Sequence, residues 1–259
     1  MLSERSSATI QKMPGGLQKP VRLIVFTTDT GCESCPDMLA LGRALKARFS
    51  KLALETYDAV MDRDKAQQYG VKYTPALVVQ SGDGHMVTFY GRTEDIVLDV
   101  LLSTITAVSD AKVWFPDNVI RALQHLIHDV SIRVFVDRDC LRCRPVTETA
   151  IGLALTSSLI STDVIIARDF PDLTAKYGIS TLPKTIFGEN LQMDGHVTES
   201  QFLEMVFQAE GLKPGPDRRC VMCGNPSPDV ICDQCKNRVE AEAKNHKLRN
   251  ERLKRSETP

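Results

Sequence analysis

The sequence predicts an α/β chain built from two copies of one unit, each a mixed sheet flanked by helices, with a small cysteine-rich tail behind them. Three observations carry that expectation. All eight cysteines fall into Cys-x-x-Cys pairs: Cys32/Cys35, Cys140/Cys143, Cys220/Cys223 and Cys232/Cys235. The first two pairs repeat at a fixed offset: Cys32 and Cys140, Cys35 and Cys143, Tyr69-Gly70 and Tyr177-Gly178, and Pro75 and Pro183 are each 108 residues apart. A spacing that large marks a duplicated domain and not a solenoid, whose period is roughly 20–50 residues. Within each copy, short apolar runs alternate with helical stretches, the pattern of an α/β unit.

The elements follow in order. VRLIVF (21–26) and VSIRVFV (130–136) are short, β-branched and apolar, and read as buried strands ending just before a cysteine pair. Helices are expected after the cysteines at 38–49 and 146–160, then second strands at 52–60 and 163–169. DRDKAQQYG and FPDLTAKYG read as short helices, each ending on a glycine suited to the left-handed position that closes a helix. ALVVQ and KTIF follow the prolines as strands, with GDG (82–84) and GEN (188–190) as hairpin turns. A last strand and an amphipathic helix, at 94–106 and 199–209, close each unit in the order β-α-β-α-β-β-α.

At 259 residues the chain has room for two ordinary domains, of roughly 100–150 residues each. The division expected is a flexible N-terminus (1–19), a first domain (20–109), a second domain (110–211) opening on a linker and helix at 110–128, and a tail (212–259). With 42% hydrophobic residues, 25% charged residues and net charge −1, the composition is globular and does not point to nucleic acid or membrane. Met1–Pro20 has no apolar core of signal-peptide length, and no run approaches the ~20 apolar residues of a membrane-spanning helix. The expected address is the cytoplasm, where paired cysteines read as redox or metal sites and not as a disulfide framework.

In Cys32-Glu33-Ser34-Cys35 and Cys140-Leu141-Arg142-Cys143 the first cysteine falls between a strand end and a helix start. The thiolate is the nucleophile in thiol–disulfide exchange, and unpaired N–H groups with the helix dipole stabilise it there. The first cysteine would attack a disulfide and the second would resolve the mixed disulfide. Arg142 favours a thiolate at Cys140 while Asp139 opposes it; Glu33 disfavours one at Cys32 with no cation between that pair, so Cys140 is expected to be the more reactive. Zinc or iron–sulfur ligation is the competing reading, disfavoured by the strand–helix position and the repeated proline. Thr74-Pro75 and Leu182-Pro183 each precede an apolar strand, 40 residues after the second cysteine of their unit. A plain strand-start proline is the alternative there, and the equal spacing favours a functional one.

Both halves resemble thioredoxin-fold domains, and residues 20–210 resemble the two-domain, glutaredoxin-like protein disulfide oxidoreductases. The matching text is VRLIVFTTDTGCESCPDM, FPDNVIRALQHLIHDVSIRVFVDRDCLRCRPV and YGISTLPKTIFGENLQMDGHVTESQFLEMV. The resemblance implies that Cys32 and Cys140 are nucleophiles, Cys35 and Cys143 resolving thiols, and Pro75 and Pro183 cis-prolines. It further implies that the Thr74-Pro75 and Leu182-Pro183 backbone pairs with an extended substrate. This chain departs from the family between the cysteines, where a proline or aromatic residue is usual.

After the linker LKPGPDRR, Cys220/Cys223 and Cys232/Cys235 are separated by eight residues, too few to enclose a hydrophobic core. A four-cysteine site for one structural zinc ion would supply the folding energy; a further set of redox pairs is the alternative. No organic cofactor is expected. Residues 236–259 read as a charged helix with eight Lys/Arg (Lys236, Arg238, Lys244, Lys247, Arg249, Arg252, Lys254, Arg255) against four Glu. A solvated helix is preferred there over a nucleic-acid-binding one.

The function expected is thiol–disulfide exchange on protein or small-molecule disulfides, serving cell redox homeostasis, with a thioredoxin-reductase-like electron donor. The alternative is a non-catalytic adaptor that recruits a partner through its zinc-binding tail.

Overall fold

A computed structural model describes residues 3–13, 16–112 and 115–256, without the side chains of 246, 247 and 249–256. Val113 and Trp114 of the expected linker, Met1, Leu2, Pro14 and Gly15 of the N-terminal segment and the last three residues of the charged tail lie outside the described residues, as do the side chains of Lys247, Arg249, Arg252, Lys254 and Arg255.

The first half runs β1 (Val21–Thr27), α2 (Cys35–Arg48), β2 (Leu52–Asp58), α3 (Arg63–Gln68), β3 (Ala76–Gln80), β4 (Met86–Tyr90) and α4 (Asp95–Ser109), preceded by α1 (Glu4–Lys12). The second opens on α5 (Asp117–Leu123) and repeats the series as β5 (Val130–Val136), α6 (Cys143–Ala154), β6 (Ile160–Ile166), α7 (Pro171–Lys176), β7 (Lys184–Phe187), β8 (Leu191–Asp194) and α8 (Glu199–Glu210). A final helix, α9 (Asp233–Ser256), ends the described chain. The expected β-α-β-α-β-β-α order is present in both halves.

Four differences from the sequence reading have local causes. The helix expected at 146–160 stops at Ala154, because Thr156 and Ser157 turn back to Leu153 and the Thr156 hydroxyl bonds Gly152 O at 2.7 Å. Hydroxyl side chains compete with the helical backbone in this way. The following strand is therefore 160–166 and not 163–169, and Ala167–Asp169 forms a 3-10 turn. The first-half strand ends at Asp58, where the Asp58 carboxylate accepts the N–H groups of Val60 and Met61, each at 2.8 Å, and bends the chain. The segment 1–19, read as flexible, carries α1, capped by Ser3 and anchored by the buried Ile10.

The two mixed sheets are one. Strand order is β2-β1-β3-β4-β6-β5-β7-β8, with β4 and β6 paired in parallel from Val87↔Thr162 to Tyr90↔Ile165. That pairing covers the edge each unit would otherwise expose. One face carries α1, α2, α4, α6 and α8 over a core that includes Leu23, Val25, Phe89, Val134, Val164 and Phe207; the other carries α3 and α7 over Ile24, Phe26, Tyr90, Phe135 and Ile165.

At the seam, Asp163 on β6 lies between Arg133 of β5 and Thr88 of β4. Burial pushes its carboxyl up from its ordinary value near 3.8 to about 6, against the pull of Lys72 and Arg133. Because the folded pKa lies above the unfolded one, ionised Asp163 costs stability, and the cost grows as pH rises through about 6. Asp163→Asn should therefore stabilise the chain at pH 7.5, by about 1–2 kcal/mol, and leave it nearly unchanged at pH 4. Thermal unfolding at the two pH values checks this; equal effects at both would refute the assignment.

Candidate functional site: two disulfides on one edge of the sheet

The register determines where the cysteines meet the surface. β1, β2, β4, β5, β6 and β8 all point the same way, and only β3 and β7 run against them. The loops after β1 and β5, which carry the cysteine pairs, therefore leave from one edge of the sheet. The loops entering β3 and β7, which carry Pro75 and Pro183, reach the same edge.

In each loop the cysteines are joined: Cys32–Cys35 has Sγ–Sγ 1.97 Å and Cys140–Cys143 has 2.08 Å. The burial pattern also repeats. Cys32 and Cys140 are half-buried, while Cys35 and Cys143 are 3% and 2% exposed and begin α2 and α6. Cys35 N–H donates to Cys32 O at 3.4 Å and Cys143 N–H to Cys140 O at 3.0 Å, closing the turn that brings each pair of sulfurs together. The first sulfur of each pair is partly open and the second is enclosed at a helix start, so Cys32 and Cys140 are the accessible members of their pairs. The N-terminal ends of α2 and α6 stabilise negative charge on that sulfur.

Thr74-Pro75 and Leu182-Pro183 are cis peptides, as the family resemblance implied, and both prolines are buried. Pro75 O accepts the Gly91 N–H at 3.1 Å and Pro183 O accepts the Gly195 N–H at 2.8 Å, so the residue after β4 or β8 anchors each loop. Sequence reasoning missed both glycines. Gly91 lies 16 residues beyond Pro75 but Gly195 only 12 beyond Pro183, because the second hairpin is shorter, and the offset of 108 breaks there.

Charge around the two sites also escaped the sequence reading. Arg92 pairs with Asp37 at 3.3 Å beside the first disulfide, and its N–H donates to Asp169 of the second half at 2.6 Å. Arg168 holds Asp137 at 2.7 Å and Asp139 at 3.4 Å, so the carboxylate next to Cys140 is compensated by a cation far away in sequence. Arg138 pairs with Glu94 at 2.8 Å across the halves.

The other four cysteines form a separate cluster in which all Sγ atoms lie within 4.8 Å of one another. Gly224, at φ +74°, turns the chain after Cys223 and donates its N–H to Cys220 O at 2.8 Å. Cys220 and Cys235 are buried, Cys232 is half-buried and Cys223 exposed. Cys223 and Cys232 sulfurs are 3.7 Å apart, close to the edge of ~3.8 Å in a tetrahedron with metal–sulfur bonds of about 2.3 Å. Burial opposes ionisation of Cys220, but N–H donors from Cys232, Met222 and Cys223 outweigh it and bring the thiol to about 7. Burial and the neighbouring sulfurs push Cys235 well up. Four sulfurs that crowd each other this closely suit a divalent cation, and the donor set fits one. Val230, Ile231 and Val239 pack the cluster into the main core, and Lys236–Glu204 (2.8 Å) with Ser200–Glu240 (2.7 Å) tie α9 to α8.

Comparisons agree with this geometry. Residues 130–208 match the family model described as a thioredoxin domain. A protein disulfide oxidoreductase from Aeropyrum pernix is 25% identical with TM-score 0.73, over 82% of this chain and 95% of that one. The N-terminal domain of alkylhydroperoxide reductase AhpF from Enterococcus faecalis is 18% identical with TM-score 0.71, over 80% of this chain and all (100%) of that one. No curated protein matches the chain in sequence. Among the described residues no helix is long and apolar enough to cross a membrane.

Gly91 tests how tightly the proline loop is held. Its φ is +95°, and a Cβ there would sit 2.8 Å from Asp169 Oδ2 and 3.1 Å from Ile166 Cβ. Gly91→Ala should destabilise the chain by about 1–3 kcal/mol, measured by denaturant unfolding; a change within 0.5 kcal/mol, roughly a surface substitution's effect, would show that the loop yields freely. Two cysteine disulfides and two buried cis-prolines, carried by equivalent loops to one end of a continuous sheet, make this chain a tandem thioredoxin-fold protein.

Proposed function

We propose that the chain is a thiol–disulfide oxidoreductase acting on protein and small-molecule disulfides in the cytoplasm, reduced in turn by a thioredoxin-reductase-like donor. The observation that carries the reading is the repeated asymmetry of the two pairs: in each half one cysteine is half-buried at the sheet edge and its partner is enclosed at a helix start. A merely structural disulfide has no need of a partly open sulfur. The Aeropyrum likeness supports the same reading.

Starting from the dithiol, the Cys32 or Cys140 thiolate attacks one sulfur of the substrate. The substrate S–S bond breaks, a mixed disulfide forms, and the departing substrate thiolate takes up a proton. The Cys35 or Cys143 thiolate then attacks its neighbour's sulfur, closing the disulfide and releasing the second substrate thiol. Two electrons pass to the substrate, and a dithiol donor returns them by the reverse sequence. Thr74-Pro75 and Leu182-Pro183 are the substrate-positioning backbone. The tail cluster holds one structural zinc ion through Cys220, Cys223, Cys232 and Cys235, securing the base of α9; no organic cofactor takes part.

Dithiothreitol-driven reduction of insulin tests the exchange reading. Turnover should be lost entirely in the Cys32→Ser/Cys140→Ser double variant; wild-type turnover no faster than the uncatalysed rate would refute it and favour the adaptor. Elemental analysis tests the tail separately. One zinc per chain is expected, lost together with thermal stability in Cys235→Ser, whereas a zinc-free chain of unchanged stability would count against the metal site.

A further inference from the structure

The loops that enter β3 and β7, each bringing a proline to the disulfide end of the sheet, are braced differently. Tyr90 of β4 pairs with Ala76, the residue after Pro75, and Asp194 of β8 pairs with Lys184, the residue after Pro183, so the two positions correspond. Tyr73 and Thr181 correspond too, each two residues before its proline. In the first half this pair is aromatic. The Tyr73 and Tyr90 rings meet edge to face at 5.6 Å, and the Tyr90 hydroxyl accepts the Lys72 N–H at 3.3 Å. In the second half the pair is polar and exposed, with Thr181 donating to Asp194 at 3.5 Å and Lys184 paired to the same carboxylate at 3.0 Å.

The difference follows from the seam. The chain leaving β6 runs against the first half: the Asp169 carboxylate accepts the Arg92 N–H at 2.6 Å, and the Phe170 ring lies 5.9 Å from Tyr73 and 6.3 Å from Tyr90. Arg92 follows Gly91, whose N–H donates to Pro75 O at 3.1 Å, so Asp169 fixes the same turn that holds the proline loop. Leu52 of β2 pairs with Val21 and Ile160 of β6 with Val130, which sets Met61 and Asp62 in the places of Asp169 and Phe170. Met61 is 83% exposed next to an exposed Val60, and the Asp62 carboxylate turns back to the Asp58 N–H at 3.0 Å. β2 and β8 are the two ends of the sheet, so no strand of another copy lies beside Asp194 and Gly195 to brace the second proline loop.

We propose that Asp169 and Phe170 of the second half are positioning residues for the first disulfide site, holding the Tyr73-Thr74-Pro75 loop in the shape in which its backbone receives a substrate chain. This inference rests on the exchange activity and the proline-loop role proposed above, and it makes the first site complete only when the second half is docked against it. The contacts of Asp169 and Phe170 run to the proline loop and its anchoring turn, which pair with substrate backbone and take no part in the exchange of sulfurs. A loop that grips the substrate equally before and during reaction contributes uniform binding, so loosening it raises KM and leaves kcat in place. The second site, at the free edge, depends on neither residue.

The test uses the full chain with one site silenced at a time, Cys140→Ser/Cys143→Ser or Cys32→Ser/Cys35→Ser, in dithiothreitol-driven reduction of insulin. With only the first site active, Asp169→Ala should raise KM about fivefold at nearly constant kcat, roughly the worth of one hydrogen bond. Asp169→Asn keeps an oxygen that can accept the Arg92 N–H and should recover most of the loss. Phe170→Leu, which retains apolar contact with Tyr73 and Tyr90, should raise KM by less. With only the second site active, KM should not move in any of these variants. An unchanged KM at the first site, a loss in Asp169→Ala that Asp169→Asn does not recover, or an equal rise at both sites overturns the positioning role while leaving exchange intact. No turnover from the first site alone overturns it as well and confines exchange to the second; no turnover from either site overturns the exchange reading too.

Discussion

The parallel pairing of β4 with β6 is the constraint on which the rest of the structure depends. Each thioredoxin-like half has a hairpin, β3–β4 or β7–β8, whose outer strand would expose a row of unpaired backbone groups. In the first half β6 fills that row, and the eight strands become one sheet. Because the pairing is parallel, every strand that leads into a cysteine loop points to the same edge. Had β6 docked in the opposite sense, the two disulfides would lie at opposite ends of the sheet. The seam also brings α4 against α6 and sets Glu94, Arg92 and Tyr73 against Arg138, Asp169 and Phe170.

Duplication yields two sites of one geometry, and the seam then makes them unequal. The first site has the open edge of β2 on its far side and an apolar loop beside it. The second lies in the middle of the molecule, against the first half, and its loop is tied down by ion pairs. Arg168 changes the electrostatic account of Cys140. Read along the chain, Asp139 opposes the Cys140 thiolate; folded, Asp139 and Asp137 face a guanidinium, which leaves Arg142 less opposed. These pairs are partly exposed, so their effect on the thiol is modest.

Most of this was legible in the residues. VSIRVFV, ALVVQ and KTIF occupy the strands they predicted, and the cysteines and prolines sit where the repeat put them, because backbone geometry at those positions is specified locally by β-branched runs, glycine turns and proline. What could not be read was anything that depends on pairing between the copies. A last strand was expected to close each unit, but nothing in MVTFY (86–90), which forms it in the first half, names Thr162–Ile165 as its neighbour. The Arg92–Asp169 contact was invisible for the same reason, since it joins residues 77 apart in different copies, while Arg168 acts within the second copy through Asp137, 31 residues away along the chain. The overrun of the helix into Thr156-Ser157-Ser158 is a different kind of error: apolar periodicity persisted through Leu159-Ile160 while the hydroxyl residues had already ended the helix.

The tail belongs to the same geometry. Glu210 at the end of α8 receives Ile127 N–H at 2.8 Å, and Ala209 lies 3.7 Å from where a Cβ on Gly188 would be, so α8 ends at the edge of the sheet away from the disulfides. Lys236 meets Glu204 and Glu240 meets Ser200, so α9 runs antiparallel to α8 and heads back toward the disulfide edge. Its described backbone continues sixteen residues past Glu240, a rise of roughly 24 Å at 1.5 Å per residue. Its buried side chains among the described residues lie near the base, with Cys235 and Val239 in the core and Ala243 buried one turn on. Its direction is set at the base, where Cys235 lies in its first turn and the cysteine cluster joins that turn to the core. The cysteine cluster and the contacts of Lys236 and Glu240 with α8 together set the direction of that helix, antiparallel to α8 and toward the end of the sheet where the disulfides lie.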